Sequence, residues 1–260
     1  MNKEVLDRIS VVLVEPQDDI NIGTAMRAAR NFGIESTRLV DPASADPDRI
    51  AISAPRCESL IEDLGRFDDL DDAIGDCVLT VGMTARRRTA NWRVLEPRHA
   101  AREVVDKTAE GRVALLFGRE DRGLSNRQLD RCHVVVTIPT NPDYSSLNLG
   151  QAVTLMLWEI FRGAEGVELP DEGLDDIEVE TEFPPAEVAG MERMFSQAEE
   201  ALEVIEFFKT ESHAHIMRTL RSLFFRAGLD ERELAIWHGI FKEVVAYGRR
   251  VGGDDEDLER

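Results

Sequence analysis

Four stretches of this chain are apolar over nearly their whole length and too short to be helices: Ile9–Val14, Cys77–Gly82, Val113–Phe117 and Val134–Ile138. Such runs lack the polar alternation of a half-exposed strand. They read as strands buried on both faces, the condition of a parallel sheet covered by helices. A shorter run, Thr37–Val40, is closed by Asp41-Pro42. Between the runs lie helical patterns. Ile22, Ala25, Met26, Ala29 and Phe32 recur at helical spacing, with Asn21 placed to cap the start and Gly33 to end it. Leu147 to Phe161 is too apolar for a surface helix and is expected to be buried. Strands that alternate with helices define an α/β fold with a mostly parallel sheet.

In such sheets ligands bind beyond the carboxyl ends of the strands. Three loops leave strands there with small or polar residues: Gly82–Ala85, Gly118–Gly123 and Thr140–Asn148. The third runs from Ile138 through Asn141-Pro142-Asp143-Tyr144-Ser145-Ser146 into the apolar helix, whose free N–H groups and dipole gather at Ser145, Ser146 and Asn148. Taken alone, Ser and Asn at such a place are ordinary caps. No G-x-G-x-x-G follows the first strand and no G-x-x-x-x-G-K-[ST] occurs, which speaks against dinucleotide oxidoreductases and P-loop NTPases.

Composition adds a bias in charge. The formal net charge is -20, from 51 acidic and 31 basic residues. Only Lys3, Lys107, Lys209 and Lys242 are lysines. A dense acidic surface poor in Lys suits a protein from a halophilic source, an archaeon by expectation. Strong salt shortens the Debye length to about 3 Å at 1 M, so the global charge does not bar a nucleic-acid partner. Against this background Arg86, Arg87, Arg88 and Arg93, with Trp92 among them, read either as a solvated loop or as a phosphate-contact loop. Cys57, Cys77 and Cys132 form no metal or CxxC pattern and read as buried thiols of a cytoplasmic protein. His213 and His215 have no ligand partners at metal spacing, so no metal is expected. No signal peptide and no membrane span are read.

The chain divides by composition. Residues 1–164 carry the α/β pattern. Residues 165–190 form an acidic linker, residues 191–250 a helical extension of two to four helices, and residues 251–260 an acidic tail. In the extension Ala201, Val204, Ile205 and Phe208, then Leu220, Leu223 and Phe224, then Ile236, Ile240, Val244 and Tyr247 fall at helical spacing, and Arg218, Arg221, Arg226, Arg249 and Arg250 make part of it basic.

Three ordered motifs carry a resemblance. Asn21-Ile22-Gly23 with Arg27, Phe32 and Gly33 form the first, and Phe117-Gly118-Arg119-Glu120 with Gly123-Leu124 the second. Ser145-Ser146-Leu147-Asn148 with Ala152 and Glu159 form the third. Together they resemble the SpoU (SPOUT class) RNA 2′-O-methyltransferases over about residues 8–162. Thr84-Ala85-Arg86-Arg87-Arg88-Thr89, Asn141–Ser146 and the helical extension narrow the resemblance to the TrmJ type, which methylates the ribose at tRNA position 32, cytidine or uridine. The resemblance implies a parallel sheet with a carboxyl-terminal trefoil knot, a homodimer with each site near the interface, and S-adenosylmethionine as methyl donor. Carried over, the donor contacts are Met83, Thr84, Ala85, Gly118, Ile138, Ser145, Ser146 and Leu147. Met83 stands where a smaller polar residue is common, so contact there falls to the backbone.

The implied reaction is attack of a ribose 2′-OH on a sulfonium methyl, in which the protein positions the hydroxyl, removes its proton and excludes water. By the resemblance Arg27 activates the 2′-OH or holds the neighbouring phosphate, Asn21 fixes Arg27 or the ribose, Glu120 orients Arg27 or receives the proton, and Ser146 and Asn148 order donor and nucleophile. Glu120 also reads as a plain surface ion pair, and Asn21 and Asn148 as caps. Arg86, Arg87, Arg88, Arg93 and Tyr144 are the expected RNA contacts, Tyr144 reading equally as a packed loop aromatic. The alternatives are a ribosomal RNA 2′-O-methyltransferase of the same fold and a non-catalytic RNA-binding relative.

Overall fold

A computed structural model describes residues 2–85, 92–167, 183–209 and 213–256. It divides into two compact units, residues 1–178 and 179–260. Arg86, Arg87 and Arg88, most of the expected acidic linker and the last four residues lie outside the described residues.

In the first unit the strands are β1 Ile9–Val14, β2 Ser36–Val40, β3 Gly65–Phe67, β4 Cys77–Met83, β5 Val94–Leu95, β6 Arg112–Phe117 and β7 Val134–Val136. They form one sheet in the order β3-β2-β1-β6-β4-β7-β5, and every pairing within it is parallel. The helices are α1 Lys3–Leu6, α2 Asp19–Asn31, α3 Pro47–Ser53, α4 Glu58–Glu62, α5 Leu70–Ile74, α6 Pro97–Lys107, α7 Asn126–Leu129 and α8 Leu149–Ala164. The β1 residues are all buried, and the one polar side chain among them, Ser10, meets the Ser36 hydroxyl at 2.8 Å. Each large aliphatic side chain fully withdrawn from water contributes about 1.5–3 kcal/mol. The core joins Val11 and Leu13 of β1 and Leu115 of β6 to Ile22 and Met26 of α2 and to Val153 and Leu157 of α8.

Two expectations about the helices change. Asn21 is not the cap of α2: Asp18 is, its extended backbone turning the carboxylate onto the Ile20 N–H. The helix therefore begins at Asp19, and the Asn21 side chain is released from capping. Second, α8 is not buried all round. Leu149, Val153, Met156, Leu157 and Ile160 face the core, while Leu155 is 43% and Trp158 47% exposed. The Trp158 ring lies 6.2 Å from that of Phe32.

The second unit holds α9 Val188–Val204, α10 His213–Ala227 and α11 Glu231–Glu256. Its core is Met191, Met194, Phe195, Phe224, Phe225, Leu229 and Leu234. Arg221 lies 4.5 Å over the Phe195 ring and pairs with Glu192. Of the helically spaced residues Ala201 and Phe224 are buried, while Leu223, Ile236, Ile240 and Tyr247 face solvent, so the spacing marked the core face only in part. Helix α11 continues to Glu256, through the first six residues of the expected tail.

Candidate functional site

The three polar loops meet at the carboxyl ends of β4, β6 and β7. They enclose a cleft of about 220 Å³. Met83, Thr84 and Ala85 line it from the loop after β4, Gly118 to Gly123 from the loop after β6, and Ile138 with Ser145, Ser146 and Leu147 from the loop after β7. The structure thus brings together every residue expected to contact the donor. Phe117, Leu149 and Ala152 complete the apolar wall.

Each loop is shaped by a local requirement. Thr84 continues the ladder past β4 by donating its N–H to Val136 O at 2.9 Å. The loop after β6 closes through Gly123 N–H to Arg119 O at 2.7 Å. Gly123 sits there at φ +65, the left-handed region where glycine is at no disadvantage. A Cβ on Gly118 would lie 2.3 Å from the backbone of Gly123 and Leu124, so only glycine lets the loop fold back on itself. In the third loop Pro142–Tyr144 form a turn of 3-10 helix, which leaves the Tyr144 ring 80% exposed. Asn148 caps α8, accepting from Gly150 N–H at 2.9 Å, and Gln151 returns a bond to Asn148 N–H at 3.2 Å.

The polar side chains beside the cleft form one string. Asn148 Nδ2 donates to Asn21 Oδ1 at 3.1 Å. Asn21 Nδ2 donates to Glu120 Oε1 at 3.0 Å. The backbone N–H of Gln17 donates to both Glu120 oxygens, at 3.0 and 3.3 Å. Asn21, Glu120 and Asn148 come from the first, second and third motifs. Glu120 is therefore no plain surface ion pair, and Asn148 is both a cap and a member of the string.

Arg27 lies six residues beyond Asn21 on α2, about a third of a turn around the helix and about 9 Å down its axis at 1.5 Å per residue. It is exposed, outside the cleft wall, with no hydrogen bond or ion pair among the described residues. Arg93 is half-buried and paired with Glu103 at 2.9 Å.

Sequence reading missed a second layer. Arg119 holds Asp121 with two hydrogen bonds, 2.9 and 3.1 Å, and reaches Glu15 at 3.5 Å. The Arg119 guanidinium, chiefly by that hydrogen bond, holds the Asp121 carboxyl below the usual carboxylate range. The one signal for this layer was Glu15-Pro16 directly after a buried strand, which by itself reads only as a strand stop.

The donor set fits S-adenosylmethionine. Ile138, Leu147 and Leu149 offer an apolar slot for a flat base, and Thr84, Ser145 and Ser146 offer polar groups for a sugar. On the same wall as Arg119 and Arg122, Glu120 and Asp121 offer carboxylates to a cationic donor. No group of three or more His, Cys, Asp and Glu suited to a metal occurs among the described residues. No helix among them is long and apolar enough to cross a membrane.

Residues 8–158 match the SpoU rRNA methylase family, and the chain belongs to that family. Residues 189–255 match the C-terminal domain of the tRNA methyltransferase TrmJ. The chain is 36% identical over 247 residues to a tRNA (cytidine/uridine-2′-O-)-methyltransferase TrmJ of Photorhabdus laumondii, covering 95% of this chain and all of that one. The protein of the same name from Escherichia coli O6:K15:H31 is 36% identical over 241 residues, 92% of this chain and 96% of that one. The crystal structure of TrmJ from Z. mobilis ZM4 superposes with a TM-score of 0.77 at 30% identity, covering 90% of this chain and 98% of that chain.

Proposed function

We propose that this chain is a tRNA 2′-O-methyltransferase that transfers a methyl group from S-adenosylmethionine to the ribose of a cytidine or uridine at position 32. The relatives named for cytidine/uridine 2′-O-methylation, similar over nearly the whole chain, support the substrate class. The observation that carries the reading is the string Glu120–Asn21–Asn148, which ties the three motifs together beside the cleft.

Met83, Thr84, Ala85, Gly118, Ile138, Ser145, Ser146 and Leu147 would hold the donor, which supplies a methyl group already activated on sulfur. The chain's own task is then positioning. Asn21 and Asn148 fix each other, and Glu120 is fixed by Gln17 N–H. Ser146 orders the third loop against the donor. Arg27 offers a guanidinium, which has donors and no acceptor for a proton. It serves as a charge that holds the phosphate beside the target ribose and stabilises developing negative charge at the 2′ oxygen, while the 2′-OH proton passes to Glu120 or to the neighbouring phosphate as the oxygen–methyl bond forms and the methyl–sulfur bond breaks.

The same reading takes residues 1–164 as the methyltransferase domain with its last two motifs knotted, residues 165–190 as a linker, 191–250 as a helical extension and 251–260 as a tail. Two copies pair through the exposed side of α8, where Leu155 and Trp158 stand beside Phe32. Arg86, Arg87, Arg88, Arg93 and Tyr144 meet the RNA. The protein works in the cytoplasm of a halophile, in keeping with its charge of -20.

The test is methyl transfer from labelled S-adenosylmethionine to unmodified tRNA transcripts in molar KCl, with Arg27→Ala alongside and the product mapped by nucleotide. Label at the ribose of position 32, lost in the variant, is the expected result. Donor binding without label on any tRNA would redirect the reading to ribosomal RNA, and no donor binding would leave a non-catalytic RNA-binding protein.

A further inference from the structure

Two carboxylate residues leave neighbouring strands in the left-handed conformation. Glu15 follows β1 with φ +52, and Asp41 follows β2 with φ +42. They are side by side in the sheet, since Val14 pairs with Val40. A non-glycine residue held there is strained and persists only when its surroundings demand it. The surroundings differ. The Asp41 carboxylate has no hydrogen bond or ion pair among the described residues. The Glu15 carboxylate has three neighbours: Gln128 Nε2 donates to Oε1 at 2.8 Å, Arg119 reaches Oε2 at 3.5 Å and Arg122 reaches it at 3.6 Å. Arg119 and Arg122 both line the cleft.

Glu15 and Gln17 thus grip the loop after β6 at consecutive residues. Glu15 takes the Arg119 side chain, and the Gln17 N–H takes Glu120. Gln128 anchors Glu15 from the far side, on α7, which Ser125 and Gln128 close with reciprocal capping bonds. Without Glu15, Arg119 still holds Asp121 and the Gln17 N–H still holds Glu120, but Arg119 and Arg122 lose the carboxylate they share at the end of β1. The two cations that line the cleft beside Glu120 and Asp121 would then lose their fixed place.

Resting on the function proposed above, we propose that Glu15 is a positioning residue for methyl-donor binding. Its side chain sets the cleft wall through Arg119 and Arg122, and the left-handed backbone is what aims it there. Asp41 shares the backbone conformation without this task and is the internal control.

The experiment uses the full chain, with S-adenosylmethionine and its demethylated thioether product as titration probes, on the parent protein, Glu15→Gly, Glu15→Gln and Asp41→Gly. Glycine relieves the backbone at either site, so neither glycine variant should lose thermal stability, and a gain of up to about 3 °C is expected. Donor Kd should rise about tenfold in both Glu15 variants, the scale of a lost contact to a charged group, and stay unchanged in Asp41→Gly. In tRNA methylation the donor KM should rise while the tRNA KM does not move. Donor binding by Glu15→Gly equal to the parent's would overturn the inference alone. A fall in Tm matching the loss of binding would overturn it in favour of a structural role. No donor binding by the parent would overturn the proposed function and this inference together.

Discussion

Asn21 and Asn148 are 127 residues apart in sequence and joined side chain to side chain at 3.1 Å. Asn148 gives its oxygen to the Gly150 N–H and its nitrogen to Asn21, so one amide both starts a helix and orients a neighbour that holds Glu120.

The two duties separate by substitution. Asn148→Asp keeps an oxygen for the cap but has no donor for Asn21, and sets a second carboxylate on the Asn21 amide. Its Tm should stay within a few degrees of the parent's. Methyl transfer should fall between about tenfold and a hundredfold, the cost of leaving a polar partner unmet. Equal losses of stability and activity would show that only the cap matters.

Gly118→Ala places a methyl group 2.3 Å from the backbone of Gly123 and Leu124. Backbone cannot step aside as a side-chain end does, so the loop must open, at a cost of about 1–3 kcal/mol. Titration with S-adenosylmethionine should show donor binding lost while circular dichroism reports the sheet intact.

At Gly150 the obstacle is a side chain. An added Cβ would lie 2.3 Å from Thr24 Cγ2, while the Thr24 hydroxyl is engaged with Ile20 O at 2.8 Å. Gly150→Ala should separate α2 from α8 and weaken methyl transfer. Thr24→Ser removes only the offending methyl and should restore part of the loss. A double-mutant cycle with no coupling between the two would refute the packing argument.

His133 makes the fold sensitive to acid. Its Nδ1 accepts the Thr80 N–H at 3.1 Å, beside the backbone bond from the His133 N–H to Thr80 O at 3.0 Å. Burial, with the charge of Lys107 adding to it, pushes the imidazole down to about 4. The unfolded chain, with an ordinary value near 6.5, binds the proton first. Stability is therefore full above about pH 6.5 and declines as pH falls toward 4. Thermal unfolding of the parent against His133→Asn should show the steeper decline in the parent over that window.

With 51 acidic residues against 31 basic, self-repulsion should weaken the fold at low ionic strength. Raising KCl from millimolar to molar should raise Tm. A Tm indifferent to salt would refute the halophilic assignment.

The buried strands were legible because burial on both faces leaves a run apolar over nearly its whole length: Ile9–Val14, with Ser10 its one polar residue, was read with the bounds the structure gives. The edge strands β3 and β5 were not, since three residues and two residues are too few to show a period. The start of α2 was misplaced because Asp18 and Asn21 are both good caps and only tertiary contact decides which is used elsewhere. The wholly apolar look of α8 hid its exposed side, because sequence cannot tell a core face from a face that awaits cover. Glu15 was invisible as a site residue: its role depends on a backbone angle and on partners more than a hundred residues away.

The brevity of those edge strands also limits how copies of the protein can meet. β3 and β5 offer few free N–H and C=O groups for another strand to join. Two sheets therefore gain little by continuing into each other, and association falls to helix faces. Trp158, the indole standing on such a face, makes any pairing visible as a concentration-dependent change in its emission.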